Sequence, residues 1–241
     1  MTRAIKLLAF IALYLHASFA YASDTILVGT TGDYQPVSWQ DPTSGEFRGD
    51  DIDLIKAFAR DTGREVKFVQ TSWPTLMEDL TAGKFMLAVG GISYTQDRAT
   101  LSHTSDTIRT DGKVALVRCG EQLEYDTLRQ IDRPGVRVVE NPGGTNEKFA
   151  RTTLKSADLK IMEDNHAPFR ALQSGQADVM FTDGIEALYM ERQDTGLCAV
   201  KPDKPYTVIR KVFLFRHDHE ELRDAFNSWW KTRETALFTA Q

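Results

Sequence analysis

Short apolar runs alternate with longer amphipathic runs from about residue 26 onward, and the chain has no internal repeat. Continuous or alternating apolar residues predict β-strands, whereas apolar residues three and four positions apart predict helices. The first half of the chain follows a β-α-β-α-β order. Its predicted strands are residues 26–29, 66–70 and 86–90, and its predicted helices are residues 52–62 and 75–82.

A second series of the same kind follows. Its predicted strands are residues 136–139, 160–162 and 177–181, and its predicted helices are residues 146–154, 167–175 and 184–193. Apolar strands at 113–118 and 208–215 connect the two series, and a final helix at 222–233 is expected to pack on the first lobe. The pattern predicts an α/β fold with a ligand cleft between two lobes. The predicted lobes are residues 23–117 with 206–241, and residues 118–205.

The charge balance excludes one large class of partner. Against 34 acidic residues the chain has 29 Lys and Arg, for a formal net charge of −5 and a pI near 5.6. The basic residues are scattered rather than clustered, so no nucleic acid partner is predicted. A small molecule is the expected ligand, and the sequence leaves a homo-oligomer possible.

The N-terminal residues have the pattern of a secretory signal peptide. Arg3 and Lys6 precede an apolar run at 7–15, and the small-residue triplet Ala20-Tyr21-Ala22 follows. We therefore expect residues 1–22 to be removed and the exported chain to begin at Ser23. A second apolar segment of the ~20 residues that span a bilayer is absent from the sequence, so no membrane insertion of the mature chain is expected.

Cys119 and Cys198 are the only cysteines in the sequence. In an oxidising compartment an even pair is more often a disulfide than two free thiols. If bonded, the pair closes a loop worth on the order of 4 kcal/mol in the chain-entropy model.

A glycine turn at residues 141–149, NPGGTNEKF, separates a predicted strand from a helix that starts near Thr145. Unpaired backbone N–H groups at such a helix start favour an anion. An ordinary glycine-rich turn between a strand and a helix has the same composition, so this motif is weak by itself.

Arg98 is a second element directed at an anion. It follows Thr95, a good N-cap residue, by three positions, which places a cation in a first helical turn where the helix dipole disfavours it. A guanidinium fits a carboxylate in bidentate fashion, whereas a surface ion pair with Asp97 or Asp106 is the alternative. Together the two elements suggest a dianionic or zwitterionic small molecule.

Several motifs resemble known families. GDYQPVS at 32–38, GDDIDL at 49–54, GISYTQDR at 91–98 and GQAD at 175–178 resemble the periplasmic solute-binding protein family 3, the amino-acid receptors of ABC transporters. TSWP at 71–74, the turn at 141–149 and TDGIEA at 182–187 resemble the periplasmic cyclohexadienyl dehydratases, enzymes built on that receptor fold. The resemblance implies a periplasmic protein with the type II periplasmic-binding-protein fold. It also implies a cofactor-free lyase that converts prephenate to phenylpyruvate and arogenate to phenylalanine.

Glu186 decides between two interpretations of the sequence. Asp183 and Glu186 have the spacing of a capping box, which gives Glu186 a purely structural role. The resemblance instead places the general acid of the dehydratases at Glu186, because loss of the ring hydroxyl needs a proton donor. A receptor that binds an amino acid or dicarboxylate for a membrane permease, without changing it, is the alternative function.

The other expected site residues surround the substrate. Arg98 is expected to bind one carboxylate beside Ser93 and Gly91, and the turn with Asn141 to bind the other through Thr145 and Asn146. Trp73 and Tyr34 are candidate walls against a ring, although aromatic residues are more often core residues. The dehydratase pattern also includes Lys113, and Asp183 is the aspartate that would meet an α-ammonium in related receptors. These assignments concern residues Tyr34, Trp73, Gly91, Ser93, Arg98, Lys113, Asn141, Thr145, Asn146, Asp183 and Glu186.

Two positions depart from the family pattern. Asp50 stands where an aromatic residue is usual, and Val37 replaces a common phenylalanine, so ligand size and cleft closure are in question. The five histidines show no metal-ligand spacing, and neither a phosphate loop nor a nucleophile elbow occurs in the sequence. No metal and no cofactor are predicted.

Overall fold

A computed structural model describes the backbone of residues 24–239 and the side chains of residues 24–233. The predicted signal peptide therefore lies outside the described residues. Within the described part of the chain, no helix combines the length and the apolar character needed to cross a membrane.

Strands and helices alternate through the described chain. The first part contains β1 (Thr25–Thr30), β2 (Asp33–Tyr34), β3 (Ser38–Gln40), β4 (Phe47–Arg48), α1 (Asp50–Asp61), β5 (Glu65–Gln70), α2 (Leu76–Thr81), β6 (Leu87–Ala88), α3 (Gln96–Leu101), β7 (His103–Thr104) and β8 (Arg109–Asp111). The middle part contains β9 (Lys113–Arg118), α4 (Leu128–Ile131), β10 (Arg137–Glu140), α5 (Thr145–Thr153), β11 (Asp158–Ile161), α6 (Ala167–Gln173), β12 (Met180–Asp183), α7 (Gly184–Arg192) and β13 (Leu197–Val200). The last part contains β14 (Ile209–Lys211), β15 (Leu214–Phe215) and α8 (Glu220–Thr239).

The first lobe is built on a sheet with the strand order β5-β1-β6-β15-β7. Its strands β5, β1 and β6 are parallel, as the first predicted series requires, whereas β15 runs antiparallel between β6 and β7. Fully buried Val28, Phe58, Phe213 and Phe226 belong to its core. Because Phe226 lies on α8, the C-terminal helix packs on the first lobe, as expected from the sequence.

The second lobe contains the three-stranded antiparallel order β12-β9-β13 and the parallel pair β10-β11. A bridge between Val138 and Val179 joins the two groups of strands. Two apolar clusters cover the strands of this lobe. One includes side chains of α6 and α7, and the other includes side chains of α5. Lobes of this kind place the loops at the strand ends around a central cleft.

A short ribbon of β8 and β14 lies between the lobes. It corrects two details of the predicted connections. Strand β9, predicted to lead out of the first lobe, is the central strand of the second sheet, and the predicted strand at 208–215 is split into β14 and β15. Tyr206 also packs against Phe149 and Phe181 of the second lobe. We therefore propose that the lobes divide at this ribbon, before residue 113 on the outward crossing and after residue 206 on the return.

Cys119 and Cys198 form a disulfide with their Cα atoms 4.8 Å apart. The bond joins the residue after β9 to β13, so both ends lie in the second lobe. It closes a loop with a sequence separation of 79 residues.

Candidate active site

Loops from both lobes enclose a cavity of about 290 Å³, counted with the space at its mouth. Its lining residues are Tyr34, Trp73, Gly91, Ser93, Arg98, Asn141, Gly144, Thr145, Asn146, Asn165 and Asp183. Nine of the ten residues predicted to bind substrate are in this lining, and the tenth, Lys113, is bonded to Asp183 and Asn146 beneath it. The structure thus brings together residues that are distant in sequence.

Arg98 is buried in the first-lobe wall of the cavity. The Thr95 side chain caps α3 by accepting from the Arg98 N–H at 3.2 Å, and Arg98 Nη1 donates to the Ser93 carbonyl at 2.7 Å. Burial lowers the pKa of Arg98 to about 10, with Asp183 opposing the shift, so the guanidinium stays charged at neutral pH. Asp97 pairs with Lys148 instead, and the ion pairs among residues 24–233 include none of Arg98.

The Gly91 loop is held from behind by Asp51. The Asp51 carboxylate accepts from the backbone N–H of Gly91 at 2.7 Å and of Gly90 at 3.2 Å, and it pairs with Arg109 Nη2 at 2.6 Å. Gly91 has φ +69°, and a Cβ there would lie 2.4 Å from the Tyr34 ring. Asp51 therefore positions the cavity wall and ties it to the ribbon between the lobes. It belongs to the GDDIDL motif but was not predicted as a site residue.

The glycine turn forms the opposite wall. Gly143 has φ +76°, and α5 begins after Gly144 with Thr145 exposed to the cavity. Asn146 Nδ2 donates to Asn141 Oδ1 at 3.0 Å, while its Oδ1 accepts from Lys113 Nζ. Asn146 is thus oriented by two neighbours, and the Thr145 hydroxyl and the free N–H groups of α5 remain to hold a carboxylate.

Asp183 forms the floor of the cavity and is surrounded by cations. Lys113 Nζ lies 2.8 Å from its Oδ1 and Lys211 Nζ lies 2.5 Å from its Oδ2, all three groups being buried. Burial alone would raise the pKa of Asp183, but the two ammonium groups hold it well below its usual range. Burial also lowers the pKa of Lys211, against the attraction of Asp183.

The charges at this floor do not balance. Arg98, Lys113 and Lys211 carry three positive charges, and Asp183 carries one negative charge. Glu140 and Glu186 are buried nearby, and desolvation raises the pKa of Glu140 well above its usual value and that of Glu186 to about 8. Glu186 is therefore neutral at pH 7, and the three cations together with Asp183 leave an excess of two positive charges beside the cavity, which suits a dianion.

Two aromatic side chains form the apolar side of the cavity. The rings of Tyr34 and Trp73 meet edge to face, with centroids 6.0 Å apart. The Tyr34 hydroxyl donates to Asp183 at 2.8 Å, which fixes the ring orientation. A flat six-membered ring of a ligand would find its apolar contact here.

Glu186 is buried and accepts a hydrogen bond from Thr182 Oγ1. It does not line the cavity described above; it lines a neighbouring cavity on the other side of Asp183. Burial is the main cause of its raised pKa, the Thr182 bond opposes it, and the charges of Asp183 and Asp33 add to it. A carboxyl group in this state carries a proton at neutral pH.

The capping box suggested by the sequence is not formed. The Asp183 side chain makes no capping hydrogen bond to α7. Asp111, on the ribbon, takes that place by accepting from the Ile185 N–H at 3.2 Å. Glu186 is therefore free of the structural role that its spacing indicated.

Lys211, which pairs with Asp183, and Asn165, which lines the cavity, were not predicted as site residues. Lys211 was detectable in principle, since Arg210 and Lys211 are two charged residues inside a largely apolar strand pattern. Asn165 donates to the Asp33 carbonyl at 2.8 Å and so joins the lobes, and nothing local in the sequence indicates this contact.

The fold and the cavity define a two-lobed α/β protein with a positively charged cavity in the cleft between its lobes. The chain belongs to the bacterial extracellular solute-binding proteins, family 3, whose family model matches residues 26–236.

Three proteins are similar to most of this chain. A cyclohexadienyl dehydratase of Pseudomonas aeruginosa is 39% identical over 207 residues, which cover 86% of this chain and 76% of the relative. The crystal structure of an ancestral cyclohexadienyl dehydratase is 45% identical over 88% of each chain, with a TM-score of 0.51. The crystal structure of an ancestral amino acid-binding protein, a precursor of cyclohexadienyl dehydratase, is 32% identical, with a TM-score of 0.81 over 88% of this chain and 90% of that one.

Proposed function

We propose that the protein is a cyclohexadienyl dehydratase, a lyase that converts prephenate to phenylpyruvate and arogenate to phenylalanine. The observation that carries the proposal is Glu186, a buried carboxyl group with its pKa raised to about 8 beside a cavity with excess positive charge. The similarity to the Pseudomonas aeruginosa enzyme over most of both chains supports it.

Substrate binding follows from the charges of the cavity. Prephenate carries two carboxylates, and they match the excess of two positive charges left by Arg98, Lys113, Lys211 and Asp183. In this proposal Arg98 binds one carboxylate in bidentate fashion, and Thr145 with the start of α5 binds the other. The ring lies against Tyr34 and Trp73.

The reaction then needs one proton donor. Loss of carbon dioxide from the ring leaves its bonding electron pair to form the aromatic ring, and the ring hydroxyl departs as water when Glu186 protonates it. The donation requires the Glu186 side chain to turn from Thr182 toward the substrate cavity. Because aromatisation favours the products, positioning, one proton and the exclusion of water are enough, and no cofactor takes part.

The periplasm is the proposed compartment. Residues 1–22 have a signal-peptide pattern, the family is one of extracellular proteins, and Cys119 and Cys198 form a disulfide. The products phenylpyruvate and phenylalanine place the reaction in phenylalanine biosynthesis.

A non-catalytic receptor is the second candidate. The likeness to an ancestral amino acid-binding protein favours it. An α-ammonium group, however, would have to compete for Asp183 with Lys113 and Lys211, which already occupy both carboxylate oxygens.

The decisive experiment is an assay of the purified exported protein with prephenate at neutral pH, in which phenylpyruvate is measured by its absorbance in alkali. Glu186→Gln keeps the shape of the side chain and removes the acidic proton, so we expect turnover to fall by at least ~10²-fold. A blank without protein corrects for spontaneous decay of prephenate. No product from the parent protein, together with a rise in Tm on addition of an amino acid, would establish the receptor instead.

A further inference from the structure

A second cavity lies directly behind Glu186. Its empty volume is about 520 Å³, counted with its opening, and it is lined by Asp33, Gln35, His166, Phe169, Arg170, Glu186 and Met190. His166 and Arg170 are exposed, so the cavity leads from Glu186 to solvent. This side of Glu186 is separate from the substrate cavity.

The two cavities share one wall. Tyr34, Asn165 and Asp183 line the substrate cavity. Their near neighbours in sequence line the second one, and these are Asp33, His166 and Glu186. The same three chain segments therefore face substrate on one side and a solvent-connected space on the other, with Glu186 at the boundary.

Unpaired polar atoms cluster at this wall. Within the described residues, Thr31 Oγ1, Asp33 Oδ1 and Trp73 Nε1 are buried without a hydrogen-bond partner. Thr31 and Trp73 both act to lower the pKa of Asp33, so the three groups lie close to one another. Buried polar atoms in this state are usually satisfied by water.

The proposed reaction consumes a proton in every cycle. The prephenate dianion and one proton give the phenylpyruvate monoanion, carbon dioxide and water. The proton leaves Glu186, and a second cycle cannot begin until Glu186 regains one from solvent. Glu186 lines the second cavity and not the substrate cavity, so in the position seen here its route to solvent is through the second cavity.

We propose that the second cavity is the proton inlet of the enzyme, in which water and the Asp33 carboxylate return a proton from solvent at His166 to Glu186 after each turnover. Glu186 would then take up its proton on this side and turn toward the substrate to donate it. Asp33, Asp183 and Lys113 are the charged groups that act on Glu186 from the segments around it. This inference rests on the proposed dehydratase activity.

The test is Asp33→Asn, assayed with prephenate at pH 6.5, where Glu186 is protonated in the resting protein. Slow return of the proton follows the irreversible loss of carbon dioxide, so it limits kcat and leaves kcat/KM unchanged. We expect kcat to fall at least about tenfold, with kcat/KM within about twofold of the parent value. Rapid mixing should show one equivalent of phenylpyruvate per protein molecule before the slow steady rate. Raising the concentration of a small acidic buffer at constant pH should restore kcat.

Two further variants make the result decisive. His166→Gln lies at the exposed opening, where folding is not at stake, and we expect the same burst and buffer dependence on a smaller scale. Asp203→Asn changes an exposed carboxylate away from both cavities and should behave as the parent does. The proton inlet would be overturned if kcat and kcat/KM fell equally and no burst appeared. Parental kinetics in both Asp33→Asn and His166→Gln would overturn it as well. An inactive parent protein would instead overturn the dehydratase proposal itself.

Discussion

The Tyr34 hydroxyl donates a 2.8 Å hydrogen bond to Asp183 across 149 positions of sequence, from the first lobe to the second. Asp183 also accepts from Lys113 and Lys211, so its carboxylate is fully engaged before any ligand arrives. Asp183 thus holds two cations beside the cavity and leaves neither carboxylate oxygen free for an α-ammonium group.

The pH dependence of the reaction should report Glu186. Its pKa is about 8, so the acid form that donates the proton is lost as pH rises through 8. We expect kcat/KM for prephenate to decline about tenfold per pH unit above that point. A falling limb centred below pH 6 would show that Glu186 is ionised at neutral pH and is not the acid.

The stability of the folded protein should also depend on pH through Glu186, and it should fall as pH rises. The ordinary pKa is 4.5 and the folded value is about 8, so the folded protein binds an extra proton between these pH values. The contribution of Glu186 to stability is therefore fully present below pH 4.5 and is lost as pH rises to 8. Tm profiles of the parent protein and of Glu186→Gln should diverge in this range, with the steeper fall in the parent.

Lys211→Gln should weaken the binding of dianions without unfolding the protein. The variant leaves Asp183 paired with Lys113, and it removes one buried cation that pays a desolvation cost. Because one of the positive charges beside the cavity is lost, we expect KM for prephenate to rise about 10- to 100-fold, while Tm changes little. Arogenate, which carries an ammonium group in addition to its carboxylates, should be affected less. A large fall in Tm with unchanged KM would mean that Lys211 serves the fold alone.

Gly143→Ala should hold the lobes apart. A Cβ at Gly143, on the second lobe, would lie 2.6 Å from Pro74 Cα on the first, and the φ of +76° disfavours any side chain. We expect a larger radius of gyration in small-angle scattering and a higher KM. Gly135→Ala is the matched control, because it puts alanine at a similar φ of +85° while its Cβ would meet nothing within 4 Å, so it should leave both quantities unchanged.

Removal of the disulfide should destabilise the second lobe. Replacing Cys119 and Cys198 by Ser opens a loop with a sequence separation of 79, for which chain entropy gives a loss on the order of 4 kcal/mol. Denaturant unfolding of the oxidised parent and of the double variant measures this difference. Activity at low temperature should persist, since neither cysteine lines the cavity.

The repeating hydrophobic pattern was sufficient to predict most helices and strands of both lobes, because each is a local feature of the chain. It failed at residues 208–215, where one apolar run serves two sheets: β14 pairs with β8, and β15 enters the first sheet. The choice of partner depends on distant strands, which periodicity does not reveal.

In the site, too, local features could be predicted from the sequence, whereas features that depend on distant residues could not. The glycine turn and Arg98 were identifiable from local chemistry, and both line the cavity. The spacing of Asp183 and Glu186 suggested a cap, but Lys113 and Lys211 bind the Asp183 carboxylate from other strands. Likewise, the unusual state of Glu186 depends on burial and on Asp33, neither of which is visible in its own helix.

The position of β15 has a consequence for how the protein is made. This strand lies between β6 and β7, yet almost the whole chain separates it from β1 in the same sheet. The second lobe, by contrast, is one continuous stretch whose strands are available earlier. During synthesis or export, the second lobe can fold while the first sheet still has an open gap between two of its strands.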